Sequence, residues 1–202
     1  MVEFVALTGA HAPGATPIEP EDLEALIPGS VTTQSELNEW EARNIAEART
    51  WLGRQRKWPE PLDYGFCLEL HRRMFANTWK WAGALRQRET VVGVDPRQIY
   101  LLLPQALANA SHQLGIAANN ADVDQATARL HHRLVQVHPF RNGNGRHARL
   151  LTDRVLRVRR ATPFSWGRTN LISTGPVRDA YIAALRAADR GDFAQLYAFV
   201  RS

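Results

Sequence analysis

The chain has 202 residues, of which 45% are hydrophobic and 22% are charged, and this composition predicts a globular protein rather than a disordered or fibrous one. A single cysteine, Cys67, excludes an internal disulfide, and no apolar run approaches the roughly 18 residues that span a bilayer, so we expect a cytoplasmic protein with no membrane partner. The net charge of +5 is an arginine excess and the sole indication of nucleic-acid binding, so we do not expect nucleic acid as a partner.

The N-terminal part of the chain divides into an arm and the beginning of a helical domain. Residues 1–30 are rich in proline, glycine and alanine, which predicts an N-terminal arm lying on one globular domain over residues 31–202. Thr33, followed three residues later by Glu36, predicts a capping box at the start of the first long helix. A second long helix is predicted over residues 62–76, where apolar residues recur at helical spacing.

The helical period breaks around residues 86–94. Val91 and Val92 lie between polar residues and are followed by Gly93, a pattern that predicts a short β-hairpin or an extended flap. Asp95 then predicts the cap of another helix, and further helices separated by short loops follow to the end of the chain. The predicted fold class is therefore all-α, a helical core with one short β-hairpin flap.

One stretch, HPFRNGNGRHARL at residues 138–150, has the composition of an anion site. Gly143 and Gly145 allow the backbone to approach an anion at the start of a helix, where the first N–H groups have no helical acceptor. Arg146 and Arg149 are three residues apart, so both lie on one side of that helix and can reach along one polyphosphate. The alternative is a plain turn that precedes a helix.

His138 precedes these glycines and is a candidate general base. An imidazole titrates near neutral pH and can accept a proton from an incoming hydroxyl group. The alternative is a histidine that ends a helix before Pro139, with its ring bonded to a backbone carbonyl. His131 and His132 lie nearby, but no cysteine or glutamate completes a zinc ligand set with them.

The stretch HPFRNGNGRHAR resembles the signature of the Fic family, H-P-F-x-[D/E]-G-N-G-R-x-x-R, at every fixed position except residue 142. The segments LHRRMFANTWKWAG and RDAYIAALRAADRGDFAQLYAF are also similar to Fic helices, and the N-terminal region is similar to the subgroup called mobile mystery protein B. The resemblance implies an α-helical Fic fold and a protein adenylyltransferase. Such an enzyme moves AMP from ATP to a Ser, Thr or Tyr hydroxyl of a target protein, with Mg²⁺.

The resemblance also implies a role for each motif residue. His138 would be the base that deprotonates the target hydroxyl, and Phe140 would anchor the loop in the core. The implied nucleotide-binding residues are Gly143, Asn144 and Gly145 as the anion hole, Arg146 at the β-phosphate and Arg149 at the γ-phosphate.

Asn142 departs from the family pattern, which usually has Asp or Glu there to hold Mg²⁺. Asparagine keeps one oxygen ligand for the metal but lacks the negative charge. Two alternatives to AMP transfer therefore stay open. One is transfer of another nucleotide or of a phosphate group, and the other is a catalytically weak Fic domain that serves as a binding or regulatory partner.

Regulation is a further implication of the resemblance. Many Fic proteins carry an inhibitory glutamate in the pattern [S/T]-x-x-x-E-[G/N], which pairs with the second motif arginine. Here Thr32 to Glu36 fits the first five positions, so Glu36 would pair with Arg149, with the capping box as the competing explanation. The subgroup resemblance implies a helix-turn-helix protein, mobile mystery protein A, as a partner.

Overall fold

The computed structural model describes residues 18, 20–55, 62–168, 171 and 175–202, and its regular structure is helical. The α-helices are α1 (Pro20–Leu23), α2 (Gln34–Arg54), α3 (Tyr64–Phe75), α4 (Ile99–Ile116), α5 (Asn120–Val137), α6 (Asn144–Val158), α7 (Pro176–Asp189) and α8 (Ala194–Arg201), with 3₁₀ turns at Pro96–Gln98 and Trp166–Arg168. Within the described ranges, β pairing is limited to one antiparallel bridge between Leu26 and Trp79. The predicted all-α class is confirmed. None of the helices in the described ranges combines the length and apolar character that crossing a bilayer requires.

Helices α5 and α6 form the centre of the fold. Helix α5 packs between α4 and α6, while α2 packs on α3, which also contacts α6. Helices α7 and α8 pack on each other and build a second, smaller apolar cluster against α5. Since α5 and α6 contribute residues to both clusters, their junction is fixed from two sides.

The predicted capping box at the start of α2 is confirmed. The Glu36 amide donates to Thr33 Oγ1 at 3.2 Å, and the Thr33 amide donates to Glu36 Oε2 at 3.0 Å. Two of the N–H groups that have no helical acceptor at a helix start are thus satisfied reciprocally. Asp63 caps α3 in a similar way by accepting from the Phe66 amide at 2.8 Å.

The predicted β-hairpin at residues 86–94 is wrong, because this segment is an irregular loop without strand pairing. The Arg86 guanidinium closes the loop by donating to the carbonyls of Arg88 and Val94. A side chain therefore makes the bonds that a strand ladder would have made. We call residues 86–94 the flap, and its Val91 side chain is 85% exposed.

The segment from α1 to Val31 lies against the helical domain. The Ile27 amide donates to the Thr78 carbonyl at 2.9 Å, next to the bridge at Trp79. Asp22 accepts from Arg88 of the flap at 2.6 Å and from Arg141 of the α5–α6 loop at 3.3 Å. One carboxylate of α1 thus connects the flap to the loop that carries the motif.

Most of the predicted N-terminal arm, residues 1–17, lies outside the described residues. The boundary at residue 30, between an arm and a domain over residues 31–202, stays a prediction.

Candidate active site

His138 ends α5 and points its ring into a nearly closed environment. It adopts a left-handed conformation, with φ 51° and ψ 61°, and the residue is 7% exposed. The ring Nδ1 lies 3.3 Å from the Val135 carbonyl oxygen, which only accepts, so Nδ1 carries the hydrogen and Nε2 the lone pair. Burial lowers the pKa of His138 to about 4, and the Arg86 charge acts in the same direction. The ring is therefore neutral at pH 7, with an unprotonated Nε2.

Arg86 holds this histidine in place and is fully buried. Its Nε donates to the His138 carbonyl at 2.6 Å and its Nη2 to the Val137 carbonyl at 3.3 Å, while its amide donates to the Pro139 carbonyl at 2.9 Å. The same guanidinium closes the flap through Arg88. One side chain therefore fixes the flap relative to the end of α5.

The loop between α5 and α6 is closed by Phe140 and Asn144. The Phe140 amide donates to Asn144 Oδ1 at 2.9 Å, and Asn144 Nδ2 donates to the Phe140 carbonyl at 2.8 Å. Phe140 is fully buried, as expected of a core anchor, and Asn144 is 3% exposed. The Asn144 side chain thus shapes the loop, which leaves its backbone N–H as the group that could face an anion.

His71 of α3 supports the loop from below. The Gly83 amide donates to His71 Nδ1 at 3.0 Å, so Nε2 carries the hydrogen and donates to the Asn142 carbonyl at 3.1 Å. The ring stacks on Phe140 with centroids 3.7 Å apart, and burial holds the pKa of His71 well below its usual value. A neutral histidine with a defined tautomer therefore fixes the position of the loop relative to α3.

Gly143 permits the tight turn into α6. Its φ of 76° lies in the left-handed region, and a Cβ atom there would lie 2.4 Å from the Phe75 ring. Glycine is therefore required for two independent reasons. The first helical amide to bond within α6 is His147, which donates to the Gly143 carbonyl at 2.9 Å. The amides of residues 144–146 have no helical acceptor and, with the helix dipole, favour an anion there.

Asn142 is a poor metal ligand in this structure. Its Oδ1 accepts the Gly143 amide at 2.6 Å, so the neutral oxygen already has a hydrogen-bond donor. Among the described residues, no group of three or more His, Cys, Asp or Glu side chains is placed to hold a metal ion. The residues present do not fit a magnesium site that the protein builds by itself.

Arg146 forms a buried ion pair with a residue that the sequence did not suggest. Its Nη1 lies 2.6 Å from Oε2 of Glu41 on α2, and the Glu41 side chain is 3% exposed. Trp79 Nε1 donates to the other carboxylate oxygen at 2.8 Å, and the guanidinium lies over the Phe75 ring. The charge of Arg146 is thus compensated within the chain.

Arg149 has a different environment. Its guanidinium carbon lies 5.9 Å from the centre of the Tyr181 ring on α7. In the part of the chain that the structure describes, no carboxylate forms an ion pair with Arg149. Burial lowers the pKa of Arg149, and the neighbouring Tyr181 and Asp153 partly oppose this effect. The site therefore contains a half-buried guanidinium that lies near a neutral aromatic ring.

The regulatory hypothesis supposed that Glu36 pairs with Arg149. In this structure it does not. Its carboxylate accepts from the amides of Thr32 and Thr33 at 2.8 and 3.0 Å, and these bonds lower its pKa. The glutamate that reaches the motif arginines lies five residues further along α2. It is Glu41, and it contacts the first arginine of the motif rather than the second.

The geometry can be compared with known proteins. Residues 61–156 match the model of the Fic/DOC family. These residues, just under half of the chain, form a Fic/DOC domain. The match includes the loop from His138 to Gly143 and both motif arginines. The subgroup suggested by the N-terminal region stays a prediction.

Two relatives illustrate the similarity in sequence. A protein adenylyltransferase of Bartonella henselae is 25% identical over 127 residues, which cover 52% of this chain and 23% of the relative. Protein adenylyltransferase fic-1 of Caenorhabditis elegans is 32% identical over 139 residues, which cover 66% of this chain and 25% of the relative. The chain thus spans about a quarter of the length of the relatives it matches.

Two solved structures illustrate the similarity in fold. BepC from Bartonella tribocorum, with bound AMPPNP, has a TM-score of 0.69 at 18% identity and covers 91% of this chain and 97% of that one. Fic-1 from C. elegans has a TM-score of 0.65 at 27% identity and covers 90% of this chain and 52% of that one. The helical arrangement is therefore that of the Fic fold.

The sequence did not predict the roles of Glu41, Tyr181 and Arg86. Glu41 carried a usable signal, because it is a charged residue on the face of α2 that also buries Leu37 and Ala48. Tyr181 carried none, since a tyrosine on the apolar face of α7 is an ordinary core residue. Arg86 gave no signal in the sequence either, because it bonds to main-chain carbonyls, which every residue type has.

We predict that Arg86→Met lowers the free energy of unfolding by about 3 kcal/mol or more. Four main-chain carbonyls would lose a donor, and each buried unsatisfied group costs about 1–3 kcal/mol. Urea unfolding followed by circular dichroism measures the change. Arg97→Met is the matched control, because the Arg97 side chain is 89% exposed and should leave stability nearly unchanged. Equal effects of the two substitutions would refute the role given to Arg86.

Proposed function

We propose that this chain transfers AMP from ATP to a hydroxyl group of a protein. The observation that carries the proposal is a neutral histidine, with its lone pair on Nε2, at the entrance to a helix start that bears two arginines. The Fic/DOC domain and relatives named protein adenylyltransferase support the same reaction. The whole activity remains our proposal, since the chain spans about a quarter of those relatives.

The proposed reaction assigns each proton and bond to a named group. His138 Nε2 accepts the proton of the target hydroxyl, whose oxygen attacks the α-phosphorus of ATP. The bond from that phosphorus to the bridging oxygen breaks, and pyrophosphate leaves. The amides of residues 144–146 and the Arg149 guanidinium stabilise the negative charge of the phosphates. Val91 and its neighbours in the flap lie exposed, where an extended target segment could pair with the main chain.

The magnesium ion that the family resemblance implies would depend on the phosphate oxygens of ATP. Asn142 contributes one neutral oxygen, which already accepts the Gly143 amide. A carboxylate at this position would offer a second, charged oxygen. We therefore assign no chemical step to a metal held by the protein.

We propose that Glu41, rather than Glu36, restrains the site. The Glu41 carboxylate occupies the Arg146 guanidinium at 2.6 Å, so a phosphate must compete with it for that arginine. The Glu41 side chain is 3% exposed and that of Arg146 17%, so screening by salt is weak. Glu36 instead lies exposed and caps α2.

Target and location complete the proposal. The target would be a protein with an exposed Ser, Thr or Tyr, and the helix-turn-helix protein implied by the subgroup resemblance is the proposed binding partner. A cytoplasmic location is consistent with a single cysteine, Cys67, which is fully buried and whose pKa burial raises to about 12. Such a thiol is unreactive and suits a reducing compartment.

We predict that label from [α-³²P]ATP reaches protein when the chain is incubated with a cell extract, and that His138→Ala reduces this rate by about 10²–10⁴-fold. Nucleotide binding should survive the substitution, because the helix start and both arginines remain. Scintillation counting after electrophoresis measures transfer, and calorimetry measures binding. If label reached protein only from [γ-³²P]ATP, the reaction would be phosphate transfer and not AMP transfer. Incorporation from neither donor would leave a binding or regulatory role.

We predict that Glu41→Gln raises self-modification by α-labelled ATP severalfold. Glutamine keeps the shape of the residue and can still accept from Trp79, but it frees the charge of Arg146. Glu36→Gln is the matched control, because an amide oxygen can still cap α2, and it should change neither activity nor stability. A rise with Glu36→Gln and none with Glu41→Gln would restore the original regulatory hypothesis.

We predict that Asn142→Asp lowers the Mg²⁺ concentration needed for half-maximal AMP transfer. An aspartate can keep the bond to the Gly143 amide with one oxygen and attract the metal with the other, by up to about 4 kcal/mol before desolvation is subtracted. Asn119→Asp, at the cap of α5, adds the same charge at another helix start and should not change the requirement. An unchanged Mg²⁺ dependence in Asn142→Asp would favour a donor other than ATP.

A further inference from the structure

Two arginines beside the site converge on the carboxylates of α1. Arg88 Nη2 of the flap lies 2.6 Å from Oδ1 of Asp22, and Arg141 Nη1 of the α5–α6 loop lies 3.3 Å from the same oxygen. Arg88 Nη1 also lies 3.2 Å from Oε2 of Glu21. Among the described residues, these two arginines form ion pairs with α1 and with no other element. We call Arg88 and Arg141 the arginine pair, and it already holds carboxylates that the chain itself supplies.

The arginine pair is connected to His138 through the main chain. Arg141 is three residues after His138 in the same loop. The Arg88 carbonyl accepts from Arg86 Nη1 at 2.9 Å, and Arg86 Nε donates to the His138 carbonyl at 2.6 Å. The two arginines of the proposed nucleotide site belong instead to α6. An anion on the arginine pair is therefore fixed relative to the proposed base by contacts that are separate from the phosphate site.

Solvent reaches the arginine pair. The Arg88 side chain is 37% exposed, that of Arg141 is 32% exposed and that of Glu21 is 69% exposed. Ion pairs between such groups contribute little to stability, because water also solvates each charge well. Each guanidinium has five N–H donors, which is more than its contacts with α1 use. A carboxylate from another molecule can therefore compete with the two that α1 provides.

We propose that the arginine pair binds an acidic segment of the target protein, beside the hydroxyl that His138 deprotonates, and that Glu21 and Asp22 occupy this position in the free chain. Arginine suits such a partner because its planar guanidinium matches the geometry of a carboxylate. The Asp22 side chain is 10% exposed, so α1 competes strongly with the target segment. The assignment to a target rests on the proposed function, whereas the binding of an acidic peptide is measured without any nucleotide.

Fluorescence anisotropy without nucleotide tests this binding with two labelled peptides. One carries a serine flanked by glutamates, and the other has glutamine in place of each glutamate. We call Glu21→Gln/Asp22→Asn the α1 variant, and we expect it to bind the acidic peptide about fivefold more tightly than the unmodified chain. Two competing charges are removed, while both side chains keep their shape. Adding Arg88→Gln/Arg141→Gln to the α1 variant should abolish this gain, and the glutamine peptide should show neither effect.

Two control variants separate the arginine pair from the net charge of the protein. Glu24→Gln/Glu39→Gln also removes two exposed carboxylates, neither of which forms an ion pair with the arginine pair, and it should not raise the affinity. Arg157→Gln/Arg159→Gln removes two exposed arginines at the end of α6. Added to the α1 variant, it should leave the gain in place.

The outcomes distinguish this proposal from the proposed function. Equal affinities of the α1 variant for the two peptides would overturn the binding site, and so would a gain that survives the loss of the arginine pair. If circular dichroism showed that the α1 variant does not fold, Glu21→Gln alone, at an exposed position, should give a smaller gain of the same sign. No gain there would also overturn the site. The proposed function fails on a different result, the absence of transfer from α-labelled ATP, which leaves peptide binding intact.

Discussion

The guanidinium of Arg86 lies between two segments that present main-chain oxygens to each other, the flap and the end of α5. Carbonyl oxygens only accept hydrogen bonds, so two such segments cannot close on each other without a shared donor. Arginine supplies five donors in one plane, which is enough to serve both. The left-handed turn at His138 and the course of the flap are consequently parts of one hydrogen-bonded unit. Gly93 completes it, because a Cβ there would lie 2.8 Å from the His138 Cβ.

The rest of the site is organised by charge. The start of α6 combines helix amides with two arginines, while Asn142 contributes no negative charge. The protein balances this excess of positive charge unequally, with a carboxylate at Arg146 and an uncharged tyrosine ring near Arg149. A phosphate chain that binds here would therefore meet two different arginines. The charge of Arg149 is not compensated by an ion pair, whereas Glu41 must be displaced from Arg146. In such an arrangement, a substitution at Arg149 would alter nucleotide affinity, and one at Glu41 would alter the restraint on Arg146.

The sequence predicted those parts of the site that are contiguous in the chain. The turn from His138 to Gly145 follows local rules for helix ends and glycines, so its residue types largely determine its shape. Glu41 reaches Arg146 across 105 residues, and this pairing depends on how α2 and α3 pack. The valines of the flap were consistent with a hairpin, yet strands also need a partner. Here Arg86 took the carbonyls that a partner strand would have used.

Asp22 gives the N-terminal segment a mechanical consequence. A single carboxylate binds Arg88 on one wall of the site and Arg141 on the other. Glu21 of the same helix also pairs with Arg88, at 3.2 Å, so removing Asp22 would take the carboxylate from Arg141 while Arg88 kept one. The ion pairs that join the flap to the α5–α6 loop therefore begin upstream of the matched family region, with α1 acting as an ionic clasp. Because this clasp is partly open to solvent, dissolved salt should loosen it and widen the entrance.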